Sequence, residues 1–395
     1  MTGQAFAPLQ GIRVVDLTSN MSGPLATMVL ADQGADVVKV EPMAGDLIRT
    51  VGTARGGMSA YFANLNRGKR SIAVDLSSDR GGEVVRRLAD RADVFVQNFR
   101  PGVVERLGLG AEDLMAANGR LVYGSISGFG LAGPLATEPA YDHVVQALSG
   151  FAALQAGAEG PDLVRQGVID KASAYTLAQA ITAALLQRTT TGRGVRIDVA
   201  MLDVALAFLW PDAMMNDTCV GEVDVLPPVS RSFRTTPTAD GFVVLVTLTA
   251  RQWDGLVEAI LTEDGDETGG DLRDTGARMA GGAAIMRAVR ERLRHLPTDE
   301  VVARLRQADV PCAPVLALDQ LHLDEQIQAS GILETIDHPV MGRIRQPRPA
   351  PLVDGVRPAA APPAPEVGAD TAAVLEEAGY SVAEAEALRE AGLVR

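Results

Sequence analysis

Short runs of β-branched residues alternate with helix-spaced apolar positions along the first 130 residues. Residues 12–17 (IRVVDL) and 36–41 (DVVKVE) read as strands, and 23–35 (GPLATMVLADQGA) between them reads as a helix with Pro24 at its first position. The unit repeats with 71–76 (SIAVDL), the helical 80–92 (RGGEVVRRLADRA), 93–99 (DVFVQNF) and 120–127 (RLVYGSIS). Such alternation predicts an α/β fold built on a Rossmann-like parallel sheet, with ligands bound at the carboxyl ends of the strands.

From Tyr141 to about Met215 the pattern is mainly helical, interrupted at 189–201 (TTTGRGVRIDVAM) by a Gly-containing turn and a short strand. Residues 224–241 are rich in Pro, Ser and Thr, and the strand 242–248 (FVVLVTL) and helical segments through Gln307 follow. Residues 346–370 are too proline-rich for regular structure, and Ser381 with Glu384 makes a capping-box pattern for the last helix. The predicted organisation is a large domain over 1–215, a linker over 216–235, a smaller α+β domain over 236–320, a second linker over 321–355, and C-terminal helices over 356–395 that return to the large domain.

A length of 395 residues exceeds what one core usually supports, which agrees with two domains. The formal charge of −14 argues against nucleic acid and anionic membranes as partners, because the average surface would repel both. Cys219, Cys312 and four scattered histidines cannot form a disulfide framework or a Cys/His zinc cluster by recognisable spacing, so no metal is expected. The start, MTGQAFAPLQG, lacks the pattern of a secretory leader, and no apolar run approaches the roughly 18 residues of a membrane span. These features predict a cytoplasmic chain.

Three stretches carry candidate chemistry. Gly128, Gly130 and Gly133 spell a dinucleotide fingerprint after a strand, but Pro134 and Pro139 stand where the phosphate-binding helix should continue. The first turn, TSNMSGP, also lacks the three glycines, so neither nicotinamide nor flavin is expected. The basic NRGKRS (66–71), with Arg100 and Arg106, is either a small-polyanion site near strand ends or a solvated loop with ordinary ion pairs. In QGVIDKASAYT (166–176), Asp170 precedes a convincing helix and reads locally as its N-cap, while a carboxylate there is also able to act as a covalent nucleophile.

Seven ordered segments, among them 11–49 (GIRVVDLTSNMSGPLATMVLADQGADVVKVEPMAGDLIR), NRGKRSIAVDL, ADVFVQNFRPGVVERLGL, GSISGFGLAGP, YDHVVQALSG, TGRGVRIDVAMLDV and PCAPV, resemble the class III (CaiB/BaiF-type) CoA-transferases. That is the family of formyl-CoA transferase, carnitine CoA-transferase and α-methylacyl-CoA racemase. The resemblance runs from Leu9 to the C-terminal helices and implies an interlocked homodimer in which each chain threads through the other.

It also implies the chemistry. Asp170 stands where these transferases carry their nucleophile, which attacks the donor acyl-CoA to give an aspartyl-acyl anhydride and CoA thiolate. The thiolate converts the anhydride to an aspartyl-CoA thioester, and a carboxylic acid acceptor opens that to a second anhydride. Coenzyme A contacts are implied at Asn20, Met21, Val74, Asp75, Leu76, Ser77, Asn98, Phe99, Arg100, Arg106, Tyr141 and Asp142. Met21 and Pro42 replace a glutamine and an arginine of formyl-CoA transferase, and the tetraglycine loop of that enzyme has no counterpart, AGGAA at 280–284 being misplaced. The same fold supports α-proton exchange in the racemase, whose histidine matches Tyr141 here. A phenol of pKa about 10 is a poor base at neutral pH, and His143, two positions on, is expected to point elsewhere. A third reading is a catalytically silent acyl-CoA binder. The apolar stretch 202–218, with Phe208, Trp210, Met214 and Met215, either lines an acyl pocket or is buried in the dimer.

Overall fold

The computed structural model describes residues 6–261 and 275–395; residues 1–5 of the N-terminal reading and 262–274 of the helical reading through Gln307 lie outside that set. The chain divides into two compact units, Met1–Pro211 with Gln328–Arg395, and Asp212–Ile327.

The first unit is built on six parallel strands, β1 (Arg13–Leu17), β2 (Asp36–Glu41), β3 (Lys69–Ala73), β4 (Val94–Gln97), β5 (Val122–Ser127) and β6 (Arg196–Ala200). Their order is β3-β2-β1-β4-β5-β6, all neighbours parallel. Chain direction across the sheet therefore reverses between β1 and β4, and the carboxyl ends of these two strands flank the crevice where open α/β sheets take ligands. The α/β expectation holds.

Strand β2 matches its sequence reading, and β1 begins one residue later than read. The third strand lies two residues earlier than expected, because Lys69 and Arg70 belong to it. This overturns the polyanion reading of NRGKRS. Arg67 pairs with Asp32 at 2.5 Å, Lys69 with buried Asp16 at 2.8 Å, and Arg70 with Asp36 at 2.6 Å and Glu377 at 2.9 Å. The patch sits at the amino end of β3, away from the ligand edge, and its charges are already spoken for.

Helix α1 (Ser22–Asp32) starts two residues before Pro24 and buries almost every position, so it shows little amphipathic pattern. Along the rest of the unit run α2 (Ala60–Asn66), α3 (Asp79–Asp90), α4 (Val103–Arg106), α5 (Ala111–Ala117), α6 (Asp142–Leu148), α7 (Phe151–Leu154), α8 (Val168–Thr191) and α9 (Met201–Ala213). No helix begins between Gly128 and Tyr141, so the glycine fingerprint does fail its structural context.

The second unit holds a three-stranded antiparallel sheet of β7 (Thr236–Pro237), β8 (Phe242–Leu245) and β9 (Cys312–Pro314), ordered β9-β8-β7. Helices α10 (Ala250–Leu261), α11 (Thr275–Leu293) and α12 (Thr298–Gln307) accompany it, and its core includes Val243, Leu256, Val289, Val301 and Leu305. Then come α13 (Glu325–Ser330) and a hairpin of β10 (Leu333–His338) and β11 (Gly342–Pro347). Helices α14 (Thr371–Glu377) and α15 (Val382–Glu390) close the chain, the latter with the capping box of Ser381 and Glu384. Val394 forms an antiparallel bridge with Val74, which anchors the C-terminus beside β3. Among the described residues no helix is long and apolar enough to cross a membrane.

Candidate active site

The site begins with the turn from β1 to α1. Asp16, fully buried at the end of β1, accepts hydrogen bonds from Thr18 N at 3.0 Å, Thr27 Oγ1 at 2.8 Å and Lys69 Nζ at 2.8 Å. Burial pushes the Asp16 carboxyl up, but Lys69 and Lys39 outweigh it and hold the group down to about 2. Lys39, also buried, donates to Thr18 O at 2.8 Å and pairs with Asp46 at 3.0 Å. Asn98 grips Ser19 at both ends, its Oδ1 accepting from Ser19 N at 2.9 Å and its Nδ2 donating to Ser19 O at 2.8 Å. Asn20 takes the left-handed backbone, φ +64°, which Asn tolerates better than most residues. A Cβ on Gly23 would lie 2.3 Å from Thr18 Cβ, so only glycine lets the turn fold back over the first turn of α1. The result is a rigid turn that aims the first amides of α1 into the crevice.

Asp170 meets those amides. Ser22, at the start of α1, stands close enough for its hydroxyl and backbone N–H to favour the ionised Asp170 carboxylate. Asp170 is the third residue of α8, with Gly167 in the capping position and no side-chain cap. The N-cap reading is thus overturned, for a simple reason: the helix starts earlier, and its first amides are satisfied from elsewhere. Asp142 Oδ2 accepts from Ile169 N at 2.8 Å and Asp170 N at 2.9 Å. The Asp170 carboxylate is left over for other work. Burial, followed by the negative charge of Asp142, raises its pKa to about 6, while the Ser22 bonds and the charge of His143 pull the other way. His143, expected to point elsewhere, is exposed and stands outside the cleft that Tyr141 lines, although its side chain pulls the Asp170 carboxyl down. The Tyr61 phenol, on α2, is raised by burial and then by Asp170, Asp142 and Asp46.

A cleft of about 240 Å³ opens above Asp170 at the carboxyl ends of β1, β4 and β5. Of the residues singled out from sequence, Asn20, Asn98, Phe99, Arg100, Tyr141 and Asp170 line it. Met21 does not; its sulfur lies against Gly167, where a Cβ would come within 2.6 Å. Val74 is buried in the core, Asp75 accepts from Ser77 N at 3.0 Å, Leu76 packs on the core, and all four residues of 74–77 lie at the outer strand, away from the cleft. Arg106 ends α4 at the surface, and Asp142 is buried behind Asp170. Neither Arg100 nor Arg106 has an ion-pair partner among the described residues. Ser22, Ser127, Glu138 and Met201 also line it, without having been singled out. Ser22 and Glu138 were within two positions of Asn20 and Ala140, but nothing in residue type alone separates them from ordinary turn residues.

The chain is similar to known proteins along nearly its whole length. The profile of CoA-transferase family III matches residues 9–371. The chain is 32% identical to succinyl-CoA:glutarate CoA-transferase of Mus musculus, over 94% of this chain and 87% of that protein. It is 31% identical to formyl-CoA:oxalate CoA-transferase of Escherichia coli O157:H7, over 97% and 98% respectively. A CaiB/BaiF family protein from Brucella suis superposes with a TM-score of 0.82 at 30% identity, covering 95% of this chain and all of that one.

Proposed function

The chain belongs to CoA-transferase family III and is a CoA-transferase, and from that premise we propose that Asp170 is the nucleophile through which it exchanges CoA between an acyl-CoA donor and a carboxylic acid. The observation that supports this role is the placement of the Asp170 carboxylate: freed from capping, on the floor of the cleft, beside the first amide of α1. Attack by Asp170 on the thioester carbonyl forms the aspartyl-acyl bond and expels CoA thiolate. The thiolate then attacks the aspartyl carbonyl, releasing the acyl group as its carboxylate and leaving an aspartyl thioester. The acceptor carboxylate repeats the exchange in reverse. As each tetrahedral centre forms at the aspartyl carbon, its oxyanion lies within reach of the Ser22 N–H and hydroxyl, where donors are already oriented.

Arg100 and Arg106, without an ion-pair partner among the described residues, serve the phosphates of CoA in this reading, and Phe99 and Tyr141 offer aromatic faces nearby. The two relatives are named for glutarate and oxalate, so short dicarboxylic acids are the acceptors to test first. Cys219 and Cys312 are free thiols, which suits a reducing compartment such as the cytoplasm. The functional form in this reading is an interlocked homodimer.

The test pairs activity with trapping. Wild-type protein incubated with acyl-CoA and hydroxylamine should carry a hydroxamate at Asp170 by mass spectrometry, and Asp170→Asn should lose CoA transfer while keeping its circular dichroism. Transfer by the Asn variant would sink the assignment. A second reading, α-proton exchange by His143 with Asp170, gains support only from the charge of His143 at Asp170. Deuterium entering the α-carbon of an acyl-CoA without any acceptor would favour it.

A further inference from the structure

Asp142 was implied as a CoA contact, yet it is 3% exposed and turned away from the cleft lining. Its two oxygens face two different parts of the chain. Oδ2 accepts from the amides of Ile169 and Asp170, and Oδ1 accepts from Gln146 Nε2 at 2.5 Å. Gln146, 1% exposed and one turn further along α6, also donates to Val164 O at 3.1 Å and Gln166 O at 3.2 Å, and its Oε1 accepts from Val164 N at 2.9 Å. These two buried side chains account for the segment entering α8 and for two of its first-turn amides. The pair is separated from Asp170 by 28 and 24 residues in sequence, so it joins two helices rather than closing one.

We propose that Asp142, supported by Gln146, is the positioning residue of the nucleophile: it caps α8 from α6, fixes the backbone of Asp170, and sets how readily the Asp170 carboxylate gives up its proton. The first two consequences follow from the bonds. The third follows from proximity, since two carboxylates that share a small buried region disfavour each other's ionised form. The other groups facing Asp170 are few. Ser22 on α1 and His143 on α6 pull the Asp170 carboxyl down, and Tyr61 on α2 senses it. Arg100 and Glu138 line the same cleft, and Lys171 turns aside to Gln166 Oε1 at 2.7 Å. Asp142 alone among them bonds to the backbone of Asp170.

The inference rests on Asp170 being the nucleophile, and the experiment separates the two. Asp142→Asn keeps an acceptor oxygen for the helix amides but removes the charge, and Gln146 retains the Val164 and Gln166 carbonyls. The acid limb of kcat/KM against pH should then move down by about one pH unit, so that the variant keeps relatively more activity at pH 5 than the parent. A residue that only supports the fold would lower the whole profile without moving the limb. In the unmodified chain, the amides of Ile169 and Asp170 should exchange with deuterium as slowly as the interior of α8, although first-turn amides ordinarily exchange fast. An unmoved limb, or fast exchange at both amides, would overturn the proposal while leaving the nucleophile intact. Retained transfer in Asp170→Asn would instead remove the reading beneath it.

Discussion

At Asp170 one side chain has been relieved of a structural duty so that it can serve another. An aspartate in the first turn of a helix normally earns its place by accepting backbone amides, and such a group would be ionised, satisfied and inert. Here Asp142 takes the amides, and Asp170 sits half-buried with a carboxyl raised to about 6, first by burial and next by Asp142. A carboxyl that holds its proton more tightly folded than unfolded destabilises the native state as pH rises from about 4 through about 6, and the loss persists above that. Asp170→Asn has no proton to lose. It should therefore be more stable than the parent at pH 8, by on the order of 2 kcal/mol, with the gap closing near pH 4. Denaturant titrations at the two pH values check this, and a gap that is the same at both would show that the Asp170 carboxyl is solvated as in the unfolded chain. Instability at a nucleophile, the role proposed for Asp170, is a common companion of activity.

Among the elements, the parts that sequence reveals and the parts it hides divide along a physical line. Strands β1 and β2 are legible because both faces of a central parallel strand are buried, which leaves a run of β-branched residues in the sequence. Strand β3 is read two residues late because its first residues are Lys69 and Arg70, and only the fold supplies Asp16, Asn66 and Pro24 O, which satisfy the Lys69 ammonium within 2.9 Å. The cap of α8 is hidden for the same reason, as its acceptor lies 28 residues away. The site shows the same division. Asn20, Asn98, Phe99, Arg100, Tyr141 and Asp170 come from ordered motifs and do line one cleft, whereas Ser22 and Met201 enter it only through the turn of α1 and the start of α9. The buried Asp16–Lys69 pair joins β1, β3 and α1, and through Thr18 it holds the turn that faces Asp170. Lys69→Met should cost about 3–5 kcal/mol, because it strands a buried carboxylate, and Asp16→Asn/Lys69→Met should cost less than the sum of the single changes. Additive losses in denaturant titrations would show that the two groups are independent.

On the scale of the whole molecule, the distribution of apolar surface has to be reconciled with a charge of −14. Tyr175 and Leu186 on α8, and Leu206, Phe208 and Trp210 on α9, are exposed, with Leu186 at 72%. Within the 202–218 stretch, Ala205 and Leu209 are buried in the chain while Leu206, Phe208 and Trp210 face outward. Tyr175 and Phe208 line one groove of about 600 Å³, and Tyr175 and Leu186 line another of about 840 Å³ with Leu9, Ile12 and Val29. The proposed homodimer would cover this apolar surface, and on an acidic chain such burial is what offsets the repulsion between like charges. The homodimer proposed above should accordingly sediment at twice 41.5 kDa and persist when salt is raised, because screening weakens the repulsion and leaves apolar burial untouched. Leu186→Glu places a charge in the middle of the face and should shift the species toward 41.5 kDa at micromolar concentration. If the parent chain already sediments as a monomer in both low and high salt, the α8 and α9 face has another occupant and the interlocked dimer is excluded.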